Sequence, residues 1–291
     1  MICLSILGLA LAYSVLRAGG VSHQDWCITA LAAGLAGLLV RRGNAGPLKG
    51  PIFWSAALLP CYVAFQMIPL PAGVLASVSR ASAELAGSAA PLLQDVKFAS
   101  ISVATALTAE HLLRITTCTL VFLLVREIAA RHPDRLWTLA CPITIIAALE
   151  AAFGIMQVQS GNQPEAAGTW ANRNHFAGFL EMALPFPVMY AVTALRRGRR
   201  RDQAPLGPAF AACFSLSIAA LLLIAITQSL SRMGCAAALL GLCICGAGAI
   251  AGALKRHRTR VPARLALVVS AGTLAALLFV SAAPDRLIAR V

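Results

Sequence analysis

Residues 209–254 read AFAACFSLSIAALLLIAITQSLSRMGCAAALLGLCICGAGAIAGAL. Two apolar runs, 209–227 and 233–254, flank a short polar turn, Gln228-Ser229-Leu230-Ser231-Arg232. About 20 apolar residues make a helix long enough to cross the hydrocarbon core of a bilayer. The stretch therefore predicts two consecutive membrane spans joined by a tight turn. Seven further apolar runs repeat the pattern: 1–16, 24–40, 51–70, 105–125, 136–158, 175–195 and 264–283. The expected fold is all-α, a polytopic transmembrane helical bundle of about nine spans, with residues 1–291 forming a single integral membrane domain.

Composition agrees with this reading. Of 291 residues, 59% are hydrophobic and 12% are charged, against about 25% charged in a soluble domain, and the mean hydropathy is +0.79. These values exclude a water-soluble globule and a disordered chain. The first run lacks a basic segment before it and a small-x-small cleavage site, so it reads as a retained first span rather than a signal peptide. Most of the nine cysteines lie inside apolar runs and none forms a CxxC, as small packing residues do.

A net charge of +13 would suggest nucleic acid in a soluble protein. Here sixteen of the 24 Lys and Arg fall in four alternate loops: Arg41 to Lys49, Arg126 to Arg135, Arg196 to Arg201 and Lys255 to Arg264. That placement follows the positive-inside rule. It predicts a cytoplasmic amino terminus, an outer carboxyl terminus and no nucleic-acid partner. Small-residue pairs in the eighth span, Ala237 with Gly241 and Gly248 with Gly252, predict close helix approach. The longest outer segment, from Pro71 to about Ala104, reads either as a helix lying in the interface or as an ordered loop.

Two of the remaining cations stand in polar knots where a span meets the outer surface. One is Gly168-Thr169-Trp170-Ala171-Asn172-Arg173-Asn174-His175, entering the sixth span, and the other ends in Ser231-Arg232. Asn172 is a residue type that caps free backbone N–H groups. The amino end of a helix carries partial positive charge and favours anions. Arginine adds bidentate recognition of phosphate. The residues thus read either as a capped helix with an interfacial Arg or as an anion site on the outer leaflet. Glu181 follows Asn174 by seven residues, which returns it to the same face about 10 Å deeper. It reads as a structural acid or as a support that orients Arg173 or Arg232. Glu150, in the middle of the fifth span, reads as a structural acid, paired to an Arg or hydrogen-bonded. Intramembrane acids are costly and mark functional positions by default. The outer acids Asp25, Glu84, Asp95, Glu165 and Asp285 form no close set. No cofactor is expected, and no metal site, because a hard cation wants several oxygen ligands together.

The stretch Gly168-Thr169-Trp170-Ala171-Asn172-Arg173-Asn174-His175-Phe176-Ala177-Gly178-Phe179-Leu180, with Ala183-Leu184-Pro185 after it, closely resembles the signature of the O-antigen ligase and polymerase family. Leu230-Ser231-Arg232-Met233-Gly234 resembles that family's second signature, and Gln66 to Pro71 and Ala147 to Gln157 are similar to it in order and spacing. The resemblance implies a GT-C-like inner-membrane glycosyltransferase. It would move a glycan from undecaprenyl diphosphate to an outer-face acceptor: lipid A core, a growing polysaccharide or a protein. It implies a metal-independent reaction in which Arg232 is the catalytic, diphosphate-binding residue that stabilises the leaving group. Asn172, Arg173, Asn174, His175 and Ser231 would shape the same pocket.

The family continues with a large outer loop bearing an Arg and a His needed for transfer. No matching His follows Pro284-Asp285-Arg286 here. The resemblance therefore covers the family's amino-terminal part. The expectation is a partial site: a truncated reading frame, a split protein completed by a second chain, or a degenerate member without activity. The alternatives are a transporter or flippase for lipid-linked glycan, and an inactive membrane scaffold of a polysaccharide-assembly complex.

Overall fold

The computed structural model describes residues 2–42, 50–93, 97–200 and 206–256. It is almost entirely helical. The helices are α1 (Ile2–Leu16), α2 (His23–Arg42), α3 (Pro51–Phe65), α4 (Ala72–Val78), α5 (Arg80–Leu93), α6 (Thr105–Arg131), α7 (Leu136–Gln159), α8 (Arg173–Ala183), α9 (Pro185–Arg200), α10 (Leu206–Gln228) and α11 (Arg232–Arg256). Among the described residues, four stretches are long and apolar enough to cross a membrane: Pro133–Gln159, Arg173–Arg196, Leu206–Gln228 and Arg232–Ala249. Ile2–Leu16 and Pro51–Phe65 are shorter apolar helices. The predicted run 264–283, Arg258, Arg260 and Arg264 of the basic cluster before it, and Asp285 lie outside the described residues.

The chain divides into two compact units: residues 1–10 with 22–135, and residues 11–21 with 136–291. In the first, α2 and α3 each pack on α6. Leu7, Ala36 and Leu124 form a small buried core there. Near the start of α6, Arg114 pairs with Glu110, and its guanidinium lies 5.3 Å from the centre of the Trp26 ring. The segment from Pro71 to Ala104 is not a plain loop. It holds α4 and α5, closed by a two-stranded antiparallel ladder, β1 (Leu70–Pro71) against β2 (Phe98–Ala99). Ser82 Oγ also donates to the Ile101 carbonyl at 2.9 Å.

In the second unit, α10 packs on α7 and α9, and α11 packs on α8. The core mixes large and small side chains. Phe176, Leu180, Leu184, Leu222 and Ile226 are fully buried among Ala147, Ala151, Ala183, Ala219 and Ala225. Alanines let helix backbones approach closely, and packing rather than water exclusion holds helices together in lipid. The sixth predicted span is two helices, α8 and α9, meeting at Leu184-Pro185. Proline lacks the N–H that would continue the helical ladder.

Gly241 and Gly248 of the small-residue pairs are not where α11 meets α8. A Cβ built on Gly241 or Gly248 would find nothing within 4 Å, whereas one built on Gly234 would stand 2.7 Å from Ala177 Cβ. The reason is length. α8 has 11 residues, about 16 Å of helix, so it reaches only the first turns of α11.

Candidate functional site at two helix amino ends

The loop between α7 and α8 is folded back onto its own helix by two side chains of α7. Gln157 grips one residue from both sides: Gly168 N–H donates to its Oε1 at 2.9 Å, and its Nε2 donates to the Gly168 carbonyl at 2.8 Å. Two turns earlier, Glu150 is 3% exposed. It accepts the Thr169 N–H at Oε2, 2.9 Å away, and its Oε1 lies 2.9 Å from the Thr169 hydroxyl. That hydroxyl also lies 2.8 Å from the carbonyl oxygen of Val15 in α1. Glu150 is thus a hydrogen-bonded structural acid. Among the described residues its partner is the loop rather than an Arg.

Gly168 has a φ of +59°, a left-handed conformation that glycine adopts without penalty. Its missing side chain leaves room for Glu150 and for the Phe176 ring. Trp170 follows, its ring stacked on Phe179 at 5.8 Å between centres and resting against Gly19. Asn172 then caps α8. Its Oδ1 accepts the Asn174 N–H at 2.8 Å, and its carbonyl accepts from His175 and Phe176. Arg173 opens the helix and pairs with Glu165. Asn172, Asn174 and His175 are exposed.

The second knot has the same plan. Ser231 is the residue before α11; its Oγ accepts the Gly234 N–H at 3.2 Å, and its carbonyl accepts from Cys235 at 3.0 Å. Ser229, fully buried, lends its Oγ to the Ser231 N–H at 3.3 Å. Leu230 between them has a φ of +54°, an uncommon conformation for a branched residue. Arg232 opens the helix, exposed and engaged in an interaction of its own. Each helix therefore begins with a capping residue followed by an arginine.

The two starts lie together although 58 residues separate Arg173 from Arg232 in the chain. Ala166 N–H in the first loop donates to the Gln228 carbonyl in the second turn at 3.0 Å. One turn inside, Ala177 of α8 meets Gly234 of α11. Of the two arginines that Glu181 is expected to orient, Arg173 or Arg232, the first takes Glu165, from its own loop. Among the other outer acids, Glu84 pairs with Arg80. Glu181 instead keeps Oε2 buried with no hydrogen-bond partner among the described residues.

Glu165, Gln157 and Gly154 are the contributors that motif reading missed. Gly154 packs under the loop, where a Cβ would come 2.7 Å from the Phe176 ring and 3.4 Å from Gly168 N. Gln157 lay in view as the last residue of the Ala147–Gln157 stretch. Glu165 offered no signal beyond being an outer-loop acid near an outer-loop arginine.

Chemically, the arrangement suits an anion. Two helix amino ends, each of partial positive charge, adjoin, and each opens with an arginine. Among the described residues no three His, Cys, Asp or Glu side chains gather as a metal site would require. The fold and its apolar helices define the class: an α-helical membrane protein. Comparisons with protein-family models, with curated proteins and with solved structures found no match to the chain.

Proposed function

We propose that the chain is a membrane glycosyltransferase of the O-antigen ligase and polymerase type, acting in cell-surface polysaccharide synthesis. Its paired helix starts bind the diphosphate of an undecaprenyl-diphosphate-linked glycan. The observation that carries this reading is the convergence of Asn172-Arg173 and Ser231-Arg232 at adjoining helix ends. Arg232 stabilises the negative charge that develops on the leaving diphosphate, and Asn172, Arg173, Asn174, His175 and Ser231 shape the pocket around it. A metal is not needed when arginines supply the positive charge. The acceptor is lipid A core, a polysaccharide or a protein. The transporter alternative loses support because Glu150, a polar group such a path would use, is committed to Thr169.

The test is binding of undecaprenyl diphosphate to the purified protein in nanodiscs. Binding is expected for the wild type and a loss of at least tenfold for Arg232→Ala. Equal affinity for the two removes the reason for placing the donor here. With a glycan-bearing donor and an acceptor, the chain alone is expected to show no turnover. Transfer also needs a group to take the acceptor hydroxyl proton, and His175 belongs to the donor knot. Robust turnover abolished by His175→Ala assigns the base to His175 instead.

The same reading places the chain in the bacterial inner membrane, GT-C-like, with nine spans and the amino terminus in the cytoplasm. Its support is the alternate placement of basic loops. Topology reporters fused after Arg201 and after Asp285 are expected on opposite sides, the first cytoplasmic. The same side for both defeats the nine-span arrangement.

A further inference from the structure

We infer that Glu150 is a positioning residue for the donor site, and that the latch it forms with Thr169 and Val15 sets where α8 begins. The inference rests on the donor-site reading above. The cost of burying a carboxyl group in a membrane helix is several kcal/mol unless its oxygens find partners. Here both oxygens meet a single residue, Thr169, at 2.9 Å each. The Thr169 hydroxyl extends the chain of bonds to Val15, 154 residues away in the sequence. Gln157 fixes the neighbouring residue, Gly168, through two more bonds.

Only three residues, Trp170 to Asn172, separate Thr169 from the first residue of α8. Trp170 among them is wedged between Phe179 and Gly19. The cap oxygen of Asn172 and the guanidinium of Arg173 therefore inherit their places from the latch. Glu150 need touch no ligand to govern binding. Its place in the sequence, in the middle of an apolar run, is explained by the reach required to meet a loop folded back over α7.

Glutamine at position 150 is the discriminating substitution. Its Oε1 accepts the Thr169 N–H, and its amide N–H donates to the Thr169 hydroxyl, which in turn donates to Val15. Leucine has nearly the same size and makes none of these bonds. Two readouts separate the latch from the donor reading: hydrogen exchange of the Gly168 and Thr169 amides, and affinity for undecaprenyl diphosphate in nanodiscs. The Glu150→Gln protein is expected within twofold of the wild type in both. Glu150→Leu is expected to exchange these amides at least tenfold faster and to bind at least tenfold more weakly. Thr169→Val keeps the backbone bond and loses the hydroxyl, so it is expected to fall between them, and it carries the test where Glu150→Leu loses helical content.

Wild-type exchange and binding in Glu150→Leu, or in Thr169→Val where that variant stands in, overturn the inference. So does a Glu150→Gln protein that behaves like Glu150→Leu. The expected exchange pattern with no binding by the wild type defeats the donor reading alone and leaves the latch in place.

Discussion

Replacing Gly168 with alanine is expected to destabilise the protein by about 3 kcal/mol, through two additive costs. The first is conformational: a residue with a Cβ pays about 1–2 kcal/mol in the left-handed region, and φ here is +59°. The second is steric. The new Cβ would meet the Glu150 carboxylate and stand 2.8 and 2.9 Å from two atoms of the Phe176 ring. Swinging the carboxylate aside breaks its bonds to Thr169. The ring is wholly buried, and overpacking a filled core costs about 1–3 kcal/mol. Gly161 supplies the control in the same loop. Its φ is +71°, yet nothing lies within 4 Å of its would-be Cβ. Gly161→Ala should show the conformational cost alone, about 1 kcal/mol. Reversible unfolding in mixed micelles checks both. Equal losses for the two variants would mean that the packing around Gly168 is looser than its neighbours imply.

The contrast between these two glycines marks what the sequence makes legible. Local apolar length is visible directly, so the runs 136–158 and 209–227 became α7, Leu136–Gln159, and α10, Leu206–Gln228, with ends moved by three residues at most. Helix starts were legible for the same reason, because capping chemistry is confined to a few consecutive residues. Asn172 performs the cap its residue type suggests.

Partners across the chain were not legible. Glu150 stood out as an acid in an apolar run, but nothing in the sequence says that the loop folds back to present Thr169 to it, 19 residues later. Arg173 took Glu165 rather than Glu181 because a loop acid reaches the helix start from outside, whereas Glu181 lies two turns down the same helix. Small-residue spacing shows that a close approach is possible and not which neighbour uses it. Gly241 and Gly248 satisfied the pattern and face open space, while Gly234, outside the two pairs singled out above, carries the contact. The segment from Pro71 to Ala104 was ambiguous because its closing ladder joins residues about 28 apart and only two residues long on each strand.

That Gly234 contact leads to the larger functional expectation. Gly234→Val is expected to weaken undecaprenyl diphosphate binding by about 100-fold, the scale on which a 1 Å displacement of a site is felt. A Cβ at 234 would come 2.7 Å from Ala177 Cβ and 3.2 Å from Ser231 Oγ. Ala177 is wholly buried and Ser231 is engaged as the cap of α11, so neither gives way without moving its helix. The substitution therefore wedges α8 from α11 close to Arg173 and Arg232, and the two helix starts move apart. Gly241→Val, two turns deeper in open space, should leave affinity unchanged. A smaller pair of changes isolates the contact. Gly234→Ala alone should weaken binding, Ala177→Gly alone should cost stability by about 1 kcal/mol as glycine does inside a helix, and the double variant moves the methyl group from one helix to the other. Residues in contact couple by about 0.5–3 kcal/mol, so the double variant is expected to recover affinity that Gly234→Ala loses. Strict additivity of the two single effects on affinity would show that the approach of α8 to α11 at this point does not set the geometry of the site.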